Sequence, residues 1–140
     1  MVLVVFYFTF RRNSMILGLG VDIIEIERIR NVIKKYGDTF LNRCFNTGEI
    51  NYCNSKANRY QHYAGKFTAK EAVFKALKMH WIEGFKWKDI TIINNDYGTP
   101  EAHLSGLLKE RADELKIGMV HISISHCHQY AVAIALLIGG

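Results

Sequence analysis

The chain has 140 residues, 49% of them hydrophobic and 22% charged. That suits one domain with one modest core and excludes a low-complexity or disordered chain. A formal net charge of +5 favours an acidic partner, which could be nucleic acid, a polyphosphate or an acidic protein. Cys44, Cys53 and Cys127 are odd in number and lack paired spacing, which argues against a disulfide framework and fits a reducing cytosol.

Residues 2–10 form an apolar run followed by Arg11 and Arg12. Nine residues are too few for a bilayer-spanning helix, which takes ~20. The charges follow the run instead of preceding it, unlike a signal peptide. Met15 then opens a strand pattern. Residues 1–14 are therefore expected to be an extension outside the fold, with residues 15–140 as the single domain. The aromatic and β-branched content of the run leaves an extra β-strand as the alternative.

Residues 16–23 read as a buried strand, with Gly18 and Gly20 where another backbone or a ligand approaches closely. Asp22 near its end is either the N-cap of the next helix or a metal-binding or catalytic carboxylate. A helix over residues 24–36 turns Ile26, Ile29, Val32, Ile33 and Tyr36 inward and ends at Gly37. Its exposed face, with Arg28, Arg30, Lys34 and Lys35, is a solvated face or a docking surface for an acidic protein. Residues 40–45 are a short apolar segment that carries Arg43, and Thr47 is expected to cap a short helix over residues 48–54.

A long central helix is expected over residues 59–79. Phe67, Val73, Phe74 and Leu77 fall at helical spacing, and Ala64, Ala69, Ala72 and Ala76 allow close approach. Lys66, Lys70, Glu71 and Lys75 are set into this run. Glu71 lies between Phe67 and Phe74, so partial burial is expected, and a buried carboxylate needs a cation or several donors. The simpler reading is an i,i+4 ion pair of Glu71 with Lys75. A loop over residues 78–88 follows, then a hairpin of strands 90–93 and 101–104. Ser105 is expected to cap a helix of about twelve residues, with Leu107, Leu108, Ala112 and Leu115 inward and Gly118 ending it. Strands 120–126 and 130–138 close the chain, with His121, Ser123 and Ser125 on one face.

Three groupings could carry chemistry. Asp22 and Glu71, with Lys66, Lys70 and Lys75 nearby, would hold a hard divalent ion beside a phosphate, the lysines offsetting the remaining charge. His121, His126, Cys127 and His128 suggest zinc, but His121 and His126 are five apart on a strand and face opposite ways. Ser125 and His126 are adjacent, so they too point apart and make a weak nucleophilic pair.

Gly20-Val21-Asp22-Ile23, Phe45-Asn46-Thr47-Gly48-Glu49, the run from Ala64-Gly65-Lys66-Phe67 through Lys70-Glu71 to Lys75-Ala76, Trp87-Lys88-Asp89-Ile90, Gly98-Thr99-Pro100 and His121-Ile122-Ser123-Ile124-Ser125-His126 follow in order. Together they resemble the holo-acyl-carrier-protein synthase family, the small bacterial phosphopantetheinyl transferases, over about residues 15–138. The resemblance implies an α+β fold, a small mainly antiparallel sheet packed around a long central helix. It implies Mg²⁺-dependent transfer of the 4′-phosphopantetheine arm of coenzyme A to a serine of apo acyl carrier protein, with release of adenosine 3′,5′-bisphosphate, in support of fatty acid biosynthesis. It also implies a cytoplasmic homotrimer with active sites between protomers, and no nucleic-acid or membrane partner. By matching position, Asp22 and Glu71 would be metal ligands and, with Lys75, catalytic. Lys75 would meet the pyrophosphate, Lys66 and His121 the 3′-phosphate region, and Arg28 and Arg43 the acidic carrier. Where the family has a Gly-Thr-Gly-type turn, this sequence reads Lys78-Met79-His80-Trp81, and Asn46 stands where threonine is usual. The reading from a different class is a non-catalytic basic module that binds an acidic protein or nucleic acid.

Overall fold

Alternation in the last strand organises the sheet. Ala131, Ala133, Ala135 and Leu137 are buried, while Ile134 between them is 46% exposed, the period of two expected of a strand with one covered face. The computed structural model describes residues 15–80 and 83–140. The expectations for residues 1–14, and for Trp81 in the loop, lie outside the described residues. The elements in chain order are β1 (Ile16–Glu25), α1 (Ile26–Tyr36), α2 (Asp38–Cys44), α3 (Thr47–Asn54), α4 (Arg59–Ala76), a 3₁₀ turn (Trp87–Asp89), β2 (Ile90–Asn94), β3 (Pro100–Leu104), α5 (Gly106–Glu114), β4 (Ile117–His126) and β5 (Tyr130–Gly139). Among the described residues the strands form a three-stranded sheet of order β1-β5-β4 and a separate β2-β3 hairpin, all antiparallel. The expected fold class is what the chain adopts, with α4 as the central helix.

α4 is covered on most sides. Ala69, Ala72, Val73, Ala76 and Leu77 pack with Ile90, Ile92, Leu108 and the inner face of β5. Tyr63 and Ala64 join Ile26, Ile29, Ile33, Leu41 and Phe45 in a second cluster. Small residues on the sheet side of α4 meet the alanines of β5, so the helix lies close to the strand.

Several elements differ from the sequence-based expectation. β1 runs on to Glu25 because Ile23, Ile24 and Glu25 pair with Val132, Ala131 and Tyr130; α1 therefore starts at Ile26 with Glu25 as its N-cap. Nor is β1 buried on both faces: Leu19, Val21 and Ile23 are 57–67% exposed, because only its Gly18–Gly20–Asp22 side meets α4. Tyr36 points outward. Residues 40–45, expected only as a short apolar segment, fall mostly within helix α2. Asn46, not Thr47, caps α3, in a capping box with Glu49. α5 has nine residues and gives way to Lys116 at φ 57°, so β4 begins at Ile117, ahead of Gly118.

α4 ends at Ala76, three residues early. Lys78 sits at φ 53°, and its amide donates to the Lys75 carbonyl at 3.0 Å. This is the left-handed helix ending that glycine usually takes. The chain thus keeps a glycine-like backbone at Lys78 at a steric cost of roughly 1 kcal/mol.

Candidate functional site

The site begins with a strand and a helix that share a spacing. A Cβ added at Gly18 would lie 2.2 Å from the Ala76 carbonyl oxygen, and one at Gly20 would lie 2.0 Å from the Ala72 carbonyl oxygen. Two strand residues advance ~6.6 Å and four helical residues ~6.0 Å, so the next step pairs Asp22 with Thr68. There side chains replace bare backbone: the Thr68 hydroxyl donates to Asp22 Oδ2 at 2.6 Å. Lys75 Nζ donates to Asp22 Oδ1 at 2.7 Å and to the Val21 carbonyl at 3.2 Å. Asp22 is therefore not a helix N-cap; it lies three residues before Glu25 with its carboxylate turned onto α4. The anticipated Glu71–Lys75 pair is replaced by Asp22–Lys75, a partner 53 residues away that helical spacing could not reveal.

Asp22, Glu71 and Arg28 line one cleft of about 280 Å³, with Ile24, Phe40 and Phe67 supplying apolar wall. Among the described residues Glu71 makes no hydrogen bond or ion pair. Burial, and then the neighbouring Asp22 carboxylate, push the Glu71 carboxyl above its ordinary range, with Lys75 and Arg28 acting against the shift. Two carboxylates on one cleft, repelling each other, are an oxygen donor set suited to a hard divalent cation that completes its sphere with phosphate oxygens and water. Among the described residues no three His, Cys, Asp or Glu side chains come together as a metal site, and His121 and His126 do not form one.

The other residues singled out in the sequence fall elsewhere. Lys70 is fully buried, and Nζ donates to Glu49 Oε2 at 2.9 Å and to the Cys44 carbonyl at 2.7 Å. Burial lowers its pKa and Glu49 opposes that. Lys70 is therefore committed to the core and does not serve with Lys66 and Lys75 as one fan of phosphate-facing cations. Lys66, 3% exposed, donates to the Ile92 carbonyl at 2.6 Å and to Asn94 Oδ1 at 3.0 Å. It also lines a second cleft with Gln61, His62, Asn94, Pro100 and His126. His121 stands on the outer sheet face opposite Leu136, so Lys66 and His121 are not brought together within one chain. Arg43 is exposed in the last turn of α2, outside the Asp22 cleft.

Sequence reasoning passed over Thr68 and undervalued His126. Thr68 could have been found from its spacing: three residues before Glu71 and seven before Lys75, it shares their helical face. His126 could not, because its neighbours Gln61 and Lys66 come from a distant element.

The model of the 4′-phosphopantetheinyl transferase superfamily matches residues 18–135. The holo-[acyl-carrier-protein] synthase of Protochlamydia amoebophila is 48% identical over 122 residues, which make up 87% of this chain and 98% of that protein. The Helicobacter pylori holo-[acyl-carrier-protein] synthase, solved in complex with coenzyme A, gives a TM-score of 0.74 at 33% identity, covering 85% of this chain and 98% of that one. A holo-(acyl-carrier-protein) synthase from Bacillus anthracis, in complex with CoA (3',5'-ADP), gives a TM-score of 0.74 at 32% identity, covering 91% of this chain and 100% of that one.

Proposed function

The chain belongs to the 4′-phosphopantetheinyl transferase superfamily, and from that premise we propose how its own residues carry the reaction. The activity is transfer of the 4′-phosphopantetheine arm of coenzyme A to a serine of apo acyl carrier protein. The observation that carries the mechanism is the placing of Asp22 and Glu71 on one cleft, with Lys75 beside them.

The serine oxygen forms a bond to the β-phosphorus of coenzyme A, the bond from that phosphorus to the bridging oxygen breaks, and adenosine 3′,5′-bisphosphate leaves. The barrier is largely one of charge on the transferring and departing phosphates. A Mg²⁺ held by Asp22 and Glu71 would supply charge neutralisation there. Lys75, half exposed and reaching from the same helical face, adds a donor to the pyrophosphate. The serine proton needs an acceptor, and a lysine that stays charged cannot take it. Glu71, the carboxylate of the cleft that no side chain of the described residues engages, is the candidate for that role. Lys66 and His121 would serve the 3′-phosphate region, and Arg28 and Arg43 the acidic carrier. Arg28 borders both the carboxylate cleft and a neighbouring surface groove with Lys35 and Tyr36, so a carrier held there would present its serine toward Glu71.

A homotrimer is part of the same reading. Its support is the outer sheet face, where Leu19, Val21, Ile23, Met119 and Ile134 are 46–67% exposed. A second copy covering that face would also bring His121 into an interface. Residues 15–140 as the domain, a cytoplasmic location and a place in fatty acid biosynthesis complete the proposal; no helix among the described residues is long and apolar enough to cross a membrane. The test is mass spectrometry of apo acyl carrier protein incubated with coenzyme A, Mg²⁺ and the protein. A mass gain of one phosphopantetheine arm that is lost with EDTA is the expected result. No gain would return the chain to the reading as a basic binding module.

A further inference from the structure

We propose that Thr68 is a positioning residue for the metal site: its hydroxyl fixes the plane of the Asp22 carboxylate so that the other oxygen is presented to the cation. The inference rests on the reading of Asp22 as a metal ligand. Asp22 has two hydrogen-bonding side chains, and they differ in kind. Lys75 is long and 51% exposed, so it can exchange Asp22 for a phosphate at little cost. Thr68 is fully buried, short and stiff about χ1, and carried by the helix that also bears Glu71. Its bond to Oδ2 is 2.6 Å, in the range of a hydroxyl on an ionised oxygen. With Oδ2 engaged, Oδ1 is the oxygen left to exchange between Lys75 and a cation. Without the hydroxyl, the carboxylate can rotate and one oxygen of a side chain only 12% exposed lacks its donor, which is costly. Outer partners of this kind typically change metal affinity by about 10–100-fold.

The experiment is titration of Mn²⁺ into coenzyme A-loaded protein, with free Mn²⁺ counted by electron paramagnetic resonance. It is run on the wild type, Thr68→Val, Thr68→Ser and Asp22→Asn after thermal melts establish that each is folded. Thr68→Val keeps the shape and removes the donor, so Mn²⁺ affinity is expected to fall about 10–100-fold, while Thr68→Ser stays near the wild type and Asp22→Asn loses the site. Should Thr68→Val fail to fold, Thr68→Ala takes its place with the same expectation. Thr68→Val binding Mn²⁺ as tightly as the wild type, while Asp22→Asn does not bind, overturns the role of Thr68 alone. Equal losses in Thr68→Val and Thr68→Ser overturn it as well, because packing and not the hydroxyl would then be the cause. Undiminished binding in Asp22→Asn removes Asp22 itself as the ligand.

Discussion

Replacing Gly20 with alanine puts a methyl group where the structure has only the α4 backbone. The new Cβ would sit 2.0 Å from the Ala72 carbonyl oxygen and 2.7 Å from the Ala76 amide nitrogen. Neither atom can rotate aside, since both belong to the helix backbone. Real Cβ contacts essentially never fall under 3.0 Å, so α4 must withdraw by about 1 Å or β1 must bend. Overpacking of this kind costs about 1–3 kcal/mol. The larger effect falls on catalysis, because Asp22 stays with the strand while Glu71 and Lys75 move with the helix. A misplacement of about 1 Å between reacting groups can cost about 100-fold in rate. Gly48→Ala is the control: nothing lies within 4 Å of its Cβ. The assay is the rate of carrier loading followed by mass spectrometry at saturating coenzyme A and Mg²⁺, with urea denaturation alongside. A Gly20→Ala protein that loads carrier at the wild-type rate and keeps its urea midpoint would refute the idea that backbone contact sets the carboxylate spacing.

Glu71→Gln is expected to lower kcat by about 10²–10⁴-fold from the proton-transfer role. It should also raise the melting temperature of the metal-free protein at pH 7. The folded-state pKa of Glu71 lies above its unfolded value, so the stability this carboxyl contributes is present below the unfolded value and lost as pH rises through the folded one. Melts in EDTA should therefore separate the two proteins at pH 7 and bring them together at pH below about 4; equal melting temperatures at pH 7 would contradict the assigned strain. Lys70→Met leaves Glu49 buried without its cation and should cost about 3–5 kcal/mol in urea denaturation; a loss no greater than that of a surface lysine would show that the pair is not buried in solution. Arg28→Glu should raise the KM for carrier and leave coenzyme A affinity unchanged, with the wild-type carrier KM rising with salt; an unaltered carrier KM removes Arg28 from docking.

The carboxylates were legible in the sequence because each broke a pattern: Asp22 ends an apolar strand, and Glu71 interrupts an apolar helix. Their partners were not. Helical spacing offered Lys75 to Glu71, whereas the folded chain gives Lys75 to Asp22, a choice made by the approach of β1 to α4. The lysines misled for a related reason. Lys66 and Lys70 read as cations that would offset phosphate charge beside the two carboxylates, but α4 is covered by α3 and β2, whose Glu49 and Ile92 lie more than 20 residues away in sequence and supply the polar atoms that make burial tolerable. The glycines carried more information than their type alone. Gly18 and Gly20 announced close approach, and the matched spacing of strand and helix then placed Asp22 on Thr68.

Ile92 sits at the centre of β2, and both of its backbone groups are taken by side chains. Its amide donates to Glu49 Oε1 at 2.8 Å, and its carbonyl accepts from Lys66 Nζ at 2.6 Å. An open strand edge is a template on which another chain can add a strand, the route to aggregation. Here α3 and α4 close that rung with a carboxylate and an ammonium, so a stray strand would have to displace two charges from a buried setting before it could pair. The residues that seal this edge thereby stand against strand addition as well as holding the core, and a chain that loses Lys66 leaves the buried Ile92 carbonyl without that donor.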